Sequence, residues 1–304
     1  MPQPRHEAPA ITLLIASLAP IVWGTTYFVT TEWLPNDRPL LAALMRALPA
    51  GILLLVLLRK LPTGDWWWRA TVLGVLNIGI FFALLFESAY RLPGGVAAVL
   101  GAVQPLVIVG LSIWMLRTPA RVGQVVAGIA GVGGIALMVL KANAAIDMVG
   151  VVAGLIGVVS MCVGFVLTKK WAPPVGPLVM TSWQLVAGGL FLLPIALIGE
   201  GMPPALSLTN VVGYAYLGIV CTALAYYVWF RGINRLSPAR TSFLTLLTPV
   251  VATFIGWLAL DEVLSPLQTL GIVVALLSVV GGQYFAAPRV REELPAEVAP
   301  APTA

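Results

Sequence analysis

Ten windows of about 20 mostly apolar residues follow one another along the chain, separated by short segments marked by proline, glycine or charge. The windows lie near residues 10–31, 39–58, 70–90, 94–116, 121–140, 149–168, 177–198, 209–231, 239–260 and 267–286. Each is long enough for an α-helix to cross the hydrocarbon core of a bilayer. The sequence therefore predicts an all-α membrane protein with ten transmembrane helices.

Composition leaves little room for a soluble domain, because only 10% of the 304 residues are charged. A soluble domain carries about 25% charged residues. We divide the chain into an N-terminal tail at 1–9, a first set of five helices at 10–140, a linker loop at 141–148, a second set of five helices at 149–286 and a C-terminal tail at 287–304. The last segment is rich in proline, alanine and glutamate, and we expect it to be disordered.

Lysine and arginine are distributed unevenly between the two sides that the windows define. Thirteen lie on the side that holds the N-terminus, and only Arg38, Arg91 and Lys141 lie on the other. Since cytoplasmic loops of membrane proteins are enriched in basic residues, both termini are predicted to be cytoplasmic. The basic loops favour contact with an anionic lipid bilayer over binding of nucleic acid. Short loops and a composition rich in alanine, glycine and proline favour a prokaryotic inner membrane.

The two halves of the chain repeat each other at a nearly constant spacing. At a spacing of 138 residues, Trp33-Leu34-Pro35 is matched by Trp171-Ala172-Pro173, and Gly51 by Gly189. From the eighth window on the spacing is 144, and there Gly74 is matched by Gly218, Arg91-Leu92 by Arg235-Leu236, and Gln104-Pro105 by Thr248-Pro249. Each half contains five spans, an odd number, so the second half is predicted to lie inverted relative to the first.

The end of the second half resembles the EamA-type branch of the drug/metabolite transporter superfamily. The resemblance rests on Thr248-Pro249, on the run from Leu260 to Ser265, and on Gln268 and Gly271. The first half departs from this signature, with Thr118 in place of an acidic residue and Ala127 in place of glycine. The resemblance implies ten helices around a central cavity, lined largely by the third, fourth, eighth and ninth. It also implies export or import of amino acids or other small metabolites.

Two prolines, Pro105 and Pro249, lie near the middle of the fourth and ninth windows. Proline has no N–H to donate and clashes with the carbonyl four residues earlier. The carbonyls of Gly101 and Thr245 are therefore predicted to be free near mid-membrane, where a neighbouring helix, a water or a solute could bind them. We predict that both prolines act as hinges; a packing kink without a ligand is the alternative.

Polar side chains close to these prolines are candidate substrate-binding groups. Gln104 stands in the fourth window, and Thr241, Thr245 and Thr248 form one stripe of the ninth at helical spacing. These side chains would give a cavity hydroxyl and amide groups without a fixed charge. Threonines that bond back to their own helix are the alternative.

Aromatic and amide side chains share predicted faces of two further windows. Asn77 and Phe81 are four residues apart in the third window. Thr222, Tyr226 and Trp229 share a face of the eighth. Aromatic rings with a few polar groups suit amphipathic organic solutes. Packing and lipid-facing aromatic residues remain alternatives.

Apart from arginines at the ends of windows, two charged residues lie within them, Arg46 and Glu87. A charge inside a membrane is costly and should face the protein interior or a partner. Arg46 is predicted to bind the carboxylate of a substrate or to pair with Glu87. Glu87 is predicted to pair with Arg91 or with Arg46, and it is the one candidate for coupling transport to protons.

These features favour a secondary transporter that exports small amphipathic metabolites by alternating access, with amino acids as the favoured class. Export of other metabolites or drugs by proton antiport is the alternative. A membrane-embedded enzyme is disfavoured, because the single histidine, His6, lies in the N-terminal tail and Glu87 stands alone within the windows. We predict no metal and no cofactor. The spacing of Gly150 and Gly154 is interpreted as helix packing inside a monomer.

Overall fold

A computed structural model describes residues 9–92, 97, 100–139, 147–202, 205–236, 238–259 and 265–286. Within these ranges eight helices are long and apolar enough to cross a membrane, and two further apolar helices are shorter. In chain order they are α1 (Ala10–Trp33), α2 (Pro39–Leu58), α3 (Trp66–Arg91), α4 (Gln104–Leu116), α5 (Val122–Val139), α6 (Met148–Trp171), α7 (Pro177–Gly199), α8 (Leu208–Gly232), α9 (Arg240–Leu258) and α10 (Pro266–Ala286).

None of the residues in these ranges belongs to a β-strand, so the prediction of an all-α membrane protein is confirmed. Large apolar side chains cover the outer faces of the helices; Trp114 and Ile198, for example, are 78% and 86% exposed. Such surfaces suit lipid rather than water. Residues 1–8, most of the predicted linker, the loop with Asp261 and Glu262, and the C-terminal tail lie outside the described residues.

Helices α2 and α7 pack against each other in antiparallel orientation. The carboxylate of Glu200, just after α7, accepts the N–H groups of Leu40 and Leu41 at the start of α2, at 2.7 and 2.9 Å. At the opposite ends, the indole of Trp183 donates to the carbonyl of Lys60 at 2.6 Å.

Glycines allow α2 and α7 to approach closely where they cross. A Cβ atom on Gly51 would lie 2.7 Å from the backbone nitrogen of Val186, and one on Gly189 would lie 2.7 Å from Cβ of Leu48. Val186 is the residue that matches Leu48 at the spacing of 138. The two glycines therefore make equivalent contacts from the two halves of the chain.

Helices α5 and α10 form a second antiparallel pair. Near the start of α5, the guanidinium of Arg121 donates to the carbonyl of Phe285 at the end of α10, at 2.9 Å. Near the end of α5, Gly134 lies against the backbone of Gly271 and Ala275 in the first half of α10. The contact again depends on small residues, which let two helices approach at backbone distance.

The helical path is interrupted next to both predicted hinge prolines. Ala102 and Val103 form a turn before α4, so that Pro105 is the second residue of that helix. In α9 the turn lies at Thr245 and Leu246, four and three residues before Pro249. Proline at the start of a helical segment costs little, because the first N–H groups of a helix have no internal partner. The chain is thus broken ahead of each proline rather than kinked at it.

The turn in α9 corrects one prediction about free backbone groups. The carbonyl of Thr245 accepts the N–H of Thr248 at 3.0 Å, so it is not left without a partner. Short-range bonds of this type, from residue i+3 to residue i, tighten the chain at a helix break.

Helices α3 and α8 each contain one π-helical segment, Val75–Ile80 and Ile219–Leu224. Val75 and Ile219 are 144 residues apart, the spacing at which this part of the sequence repeats. A π-helical turn changes the hydrogen-bond register and is frequent at functional sites. Phe81, which follows the first segment, and Arg46, which is bonded to Thr222 in the second, both line the cavity described next.

Candidate solute-binding cavity

A cavity lies between α1, α2, α3, α6, α8 and α9, with the start of α4 and the chain before it as a further wall. Its polar and aromatic walls are Trp23, Thr26, Tyr27, Arg46, Phe81, Ser88, Gln104, Tyr226, Thr245 and Thr248, and the remainder consists of Leu85, Ala97, Leu100, Gly101, Gly154, Val158, Met161 and Pro249. A largely apolar lining with a few polar groups is typical of a small-molecule site.

Four residues of the cavity wall each have a buried polar atom with no hydrogen-bond partner among the described residues. These atoms are Oγ1 of Thr26, Nη1 of Arg46, Oγ of Ser88 and Oε1 of Gln104. A buried polar group without a partner is costly unless a ligand or a water satisfies it. The four atoms are a charged donor, two hydroxyls and an amide acceptor.

Arg46 is held by uncharged groups, although its side chain is almost fully buried. Its Nε donates to Oγ1 of Thr222 at 2.8 Å, and its Nη2 donates to the carbonyl of Cys221 at 3.1 Å. The guanidinium carbon lies 4.4 Å from the ring centroid of Phe82, close enough for a cation–π interaction. Within the described part of the chain, no carboxylate forms an ion pair with Arg46.

Glu87 forms an ion pair with Arg91, which confirms one of its two predicted pairings. The alternative pairing with Arg46 is wrong, because Glu87 lies near the end of α3 and is not part of the cavity wall. Arg91 also binds Asp147 at 3.1 Å, and the carboxylate of Asp147 accepts the N–H groups of Val149 and Gly150 at the start of α6. The guanidinium and these N–H groups hold the pKa of Asp147 below its usual range.

Aromatic rings form one side of the cavity around Trp23. Its indole N–H donates to the carbonyl of Cys221 at 2.9 Å. Its ring centroid lies 5.3 Å from that of Tyr226 and 5.2 Å from that of Trp229. Tyr226 lines the cavity, whereas Trp229 packs behind it and also contacts Phe165.

The cavity brings together most of the residues that the sequence singled out. Those in its wall are Arg46, Phe81, Gly101, Gln104, Tyr226, Thr245, Thr248 and Pro249. Six predicted residues lie elsewhere, namely Asn77, Glu87, Pro105, Thr222, Trp229 and Thr241.

Asn77 is buried between α3, α6 and α7 instead of lining the cavity. Its amide donates to Oε1 of Gln184 at 2.8 Å, and a Cβ atom on Gly164 would collide with it. The hydroxyl of Thr245 bonds back to the carbonyl of Ser242 at 2.6 Å, as the alternative to ligand binding predicted. Thr248 bonds instead to the carbonyl of Pro20 in α1, at 3.1 Å.

Sequence reasoning missed the contribution of α1 and of Ser88. Trp23 and Tyr27 are four residues apart and both carry a polar tip, the same pattern that singled out aromatic residues elsewhere. Ser88 gave no such signal, because a single serine near a helix end most often bonds to its own backbone.

Comparison with known proteins agrees with this architecture. The sequence profile of the EamA-like transporter family matches residues 10–140 and matches again at 148–281. Since the two matches cover most of the chain, the protein belongs to the EamA-like transporter family and is a multi-pass membrane transporter.

Two curated relatives and one solved structure illustrate the similarity. The chain is 50% identical to Protein PecM of Dickeya dadantii (strain 3937) over 260 residues, which is 85% of this chain and 87% of the relative. It is 29% identical to the uncharacterized inner membrane transporter YedA of Escherichia coli (strain K12) over 274 residues, 87% of this chain and 89% of the relative. A crystal structure with 18% sequence identity aligns with a TM-score of 0.75, covering 91% of this chain and 98% of the other, and shares the fold.

Proposed function

We propose that this protein is a secondary transporter that exports small amphipathic metabolites carrying a carboxylate, with amino acids as the first candidates. It works by alternating access in a prokaryotic inner membrane, with both termini in the cytoplasm. The observation that carries this proposal is that Arg46 lines a largely apolar cavity while its buried Nη1 has no hydrogen-bond partner among the described residues.

The charge of the cavity supports a carboxylate as the recognised group. Arg46 brings a positive charge, and no carboxylate side chain stands among the cavity residues that the structure describes. Arginine binds carboxylates with directed, charge-assisted hydrogen bonds. Phe81, Tyr226 and Trp23 give the rest of the solute an apolar, aromatic surface. An amino acid with a large apolar side chain meets both requirements.

Two antiparallel helix pairs support the proposal of ten spans in two inverted repeats. Helices α2 and α7 occupy matching positions in the two halves of the sequence, as do α5 and α10, and the members of each pair run in opposite directions. Helices at matching positions that run in opposite directions are what an inverted repeat requires. The two matches of the family profile divide the chain at the same place.

Packing within the chain supports a monomer as the transporting unit. A Cβ atom on Gly150 would lie 2.9 Å from Cβ of Arg91, and one on Gly154 would lie 2.8 Å from Oγ of Ser88. The small residues of α6 are therefore used against α3 of the same chain.

Uptake into proteoliposomes tests the proposed function. The full-length protein is reconstituted, and uptake of radiolabelled aromatic, aliphatic and charged amino acids is measured with and without a pH gradient. We expect saturable uptake of apolar amino acids that excess unlabelled amino acid competes away, with little dependence on the gradient, because Glu87 is paired with Arg91 outside the cavity. The Glu87→Gln variant should retain this uptake.

Two results would contradict parts of this proposal. Strict dependence on a pH gradient that the Glu87→Gln variant loses would favour proton antiport instead of facilitated transport. Absence of uptake for every amino acid, in vesicles whose protein is folded by size-exclusion chromatography, would exclude amino acids and direct the search to other metabolites or drugs.

The breaks before Pro105 and Pro249 provide hinges for alternating access. Replacing Pro249 by alanine permits a continuous α9, because alanine supplies an N–H and removes the clash with the carbonyl of Thr245. We expect the Pro249→Ala variant to transport about tenfold more slowly even at saturating solute, because a hinge acts on the conformational step. The same expectation holds for Pro105→Ala, and initial uptake rates at saturating solute measure it. Wild-type rates in both variants would contradict the hinge role.

A further inference from the structure

The π-helical segment of α8 provides one backbone carbonyl that two cavity residues share. The carbonyl of Cys221 accepts the indole N–H of Trp23 at 2.9 Å and Nη2 of Arg46 at 3.1 Å. In a regular α-helix this carbonyl would be engaged by the N–H four residues later, whereas a π-helical turn changes that register. The segment Ile219–Leu224 can therefore bind two side chains of the cavity wall, Trp23 and Arg46, without itself lining the cavity.

Thr222, the next residue of this segment, fixes the orientation of the Arg46 guanidinium. Its hydroxyl accepts Nε at 2.8 Å, and the guanidinium also lies over the ring of Phe82. Because the guanidinium is planar and rigid, a contact at Nε and another at Nη2 determine where Nη1 points. Nη1 is the group left for a solute, and Thr222 itself is fully buried and is not part of the cavity wall.

The other half of the chain contains a matching contact without a charge. Gln184 matches Arg46 at the spacing of 138, and Asn77 matches Cys221 at the spacing of 144. Gln184 accepts a hydrogen bond from Asn77 within the π-helical segment of α3, at 2.8 Å. The contact of Arg46 joins α2 to the π-helical segment of α8, and the contact of Gln184 joins α7 to the π-helical segment of α3. Of these residues only Arg46 lines the cavity.

We infer that Thr222 and the carbonyl of Cys221 are positioning groups that orient Nη1 of Arg46 toward the carboxylate of the transported solute. This inference rests on the proposed function and adds a determinant of its selectivity. The contact between Asn77 and Gln184 is its structural counterpart and has no part in selectivity.

The inference is tested by comparing a carboxylate with its amide. Binding of L-phenylalanine and of L-phenylalaninamide to the purified full-length protein is measured by calorimetry, together with KM and kcat for uptake of L-phenylalanine. The wild-type protein should prefer the carboxylate by at least about tenfold. In Thr222→Val, which keeps the shape of the side chain but removes the acceptor, we expect this preference to fall about tenfold, with KM raised and kcat little changed.

Two further variants separate positioning from a loss of folding. Thr222→Ser restores the hydroxyl and should restore the preference. Gln184→Met removes the matched hydrogen bond in the other half, at a comparable cost in thermal stability, and should leave the preference intact. Should Thr222→Val fail to insert into the membrane, Thr222→Ala removes the same acceptor and carries the same expectation.

Three other results would contradict either the positioning role of Thr222 or the recognition of a carboxylate by Arg46. Full preference for the carboxylate in Thr222→Val would overturn the positioning role alone. An equal loss of preference in Gln184→Met would do the same, because it would make the effect one of general packing. A wild-type protein that binds the two compounds equally would overturn both this inference and the proposed recognition of a carboxylate by Arg46.

Discussion

The Arg46→Gln variant is expected to lose about 10- to 100-fold in uptake of a carboxylate solute while it still inserts and folds. A hydrogen bond to a charged group contributes roughly 1.5–3 kcal/mol, and each 1.4 kcal/mol corresponds to about tenfold in affinity. The matching position in the other half already carries Gln184, fully buried in the same kind of contact. Glutamine should therefore fit the space and remove the charge. Initial uptake rates in proteoliposomes and thermal stability in detergent measure the two effects separately.

The Arg46→Lys variant is the control that separates charge from geometry. Lysine keeps the positive charge but cannot reproduce the planar fork that reaches Thr222, Cys221 and the solute together. We expect its uptake rate to lie between those of the wild type and Arg46→Gln. Wild-type uptake of the carboxylate solute in Arg46→Gln would show that Arg46 has a structural role only.

The position of Arg46 could be predicted from the sequence only in part. The cost of a charge in the membrane already placed its side chain in the interior, and this is where it lies. Its actual partners, a threonine hydroxyl and a backbone carbonyl, could not be predicted, because apolar periodicity does not show that Ile219–Leu224 is π-helical.

The same π-helical turns explain why some of the predicted faces were wrong. Asn77 and Phe81 share a face only if the chain between them is a regular α-helix with 3.6 residues per turn. Asn77 lies inside the segment Val75–Ile80 and Phe81 follows it, so the regular α-helical spacing that predicted a shared face does not apply between them. As a result Phe81 lines the cavity, whereas Asn77 bonds to Gln184 in α7.

The helix breaks and the close helix contacts were easier to predict from the sequence. Proline restricts its surroundings through local sterics, so Pro105 and Pro249 marked the interrupted regions although the breaks lie a few residues earlier. The matched glycines Gly51 and Gly189 indicated equivalent packing, because only a residue without Cβ lets two helix backbones meet. The contribution of Trp23 and Tyr27 depended on which neighbours α1 meets, and this is a property of the assembled bundle.

The contact between α5 and α10 gives the second large expected effect. A Cβ atom on Gly134 would lie 2.8 Å from the backbone nitrogen of Ala275 and 2.9 Å from the carbonyl oxygen of Gly271. Backbone atoms cannot rotate away as a flexible side chain can, so the Gly134→Val variant must push the two helices apart. We expect it to lower the free energy of unfolding by about 3 kcal/mol or more, at the upper end of overpacking effects. Thermal unfolding in detergent, followed by size-exclusion chromatography, measures the loss.

The neighbouring Gly133 offers a matched control for this prediction. It faces outward, and a Cβ atom there would meet no other atom within 4 Å. Valine has the same intrinsic helix preference at either position, so the difference between the two variants isolates the contact with α10. We expect Gly133→Val to change stability by less than about 0.5 kcal/mol, as is usual for substitutions away from packed features. Equal destabilisation by both variants would mean that valine disturbs α5 itself and that the close approach of α5 and α10 does not stabilise the fold.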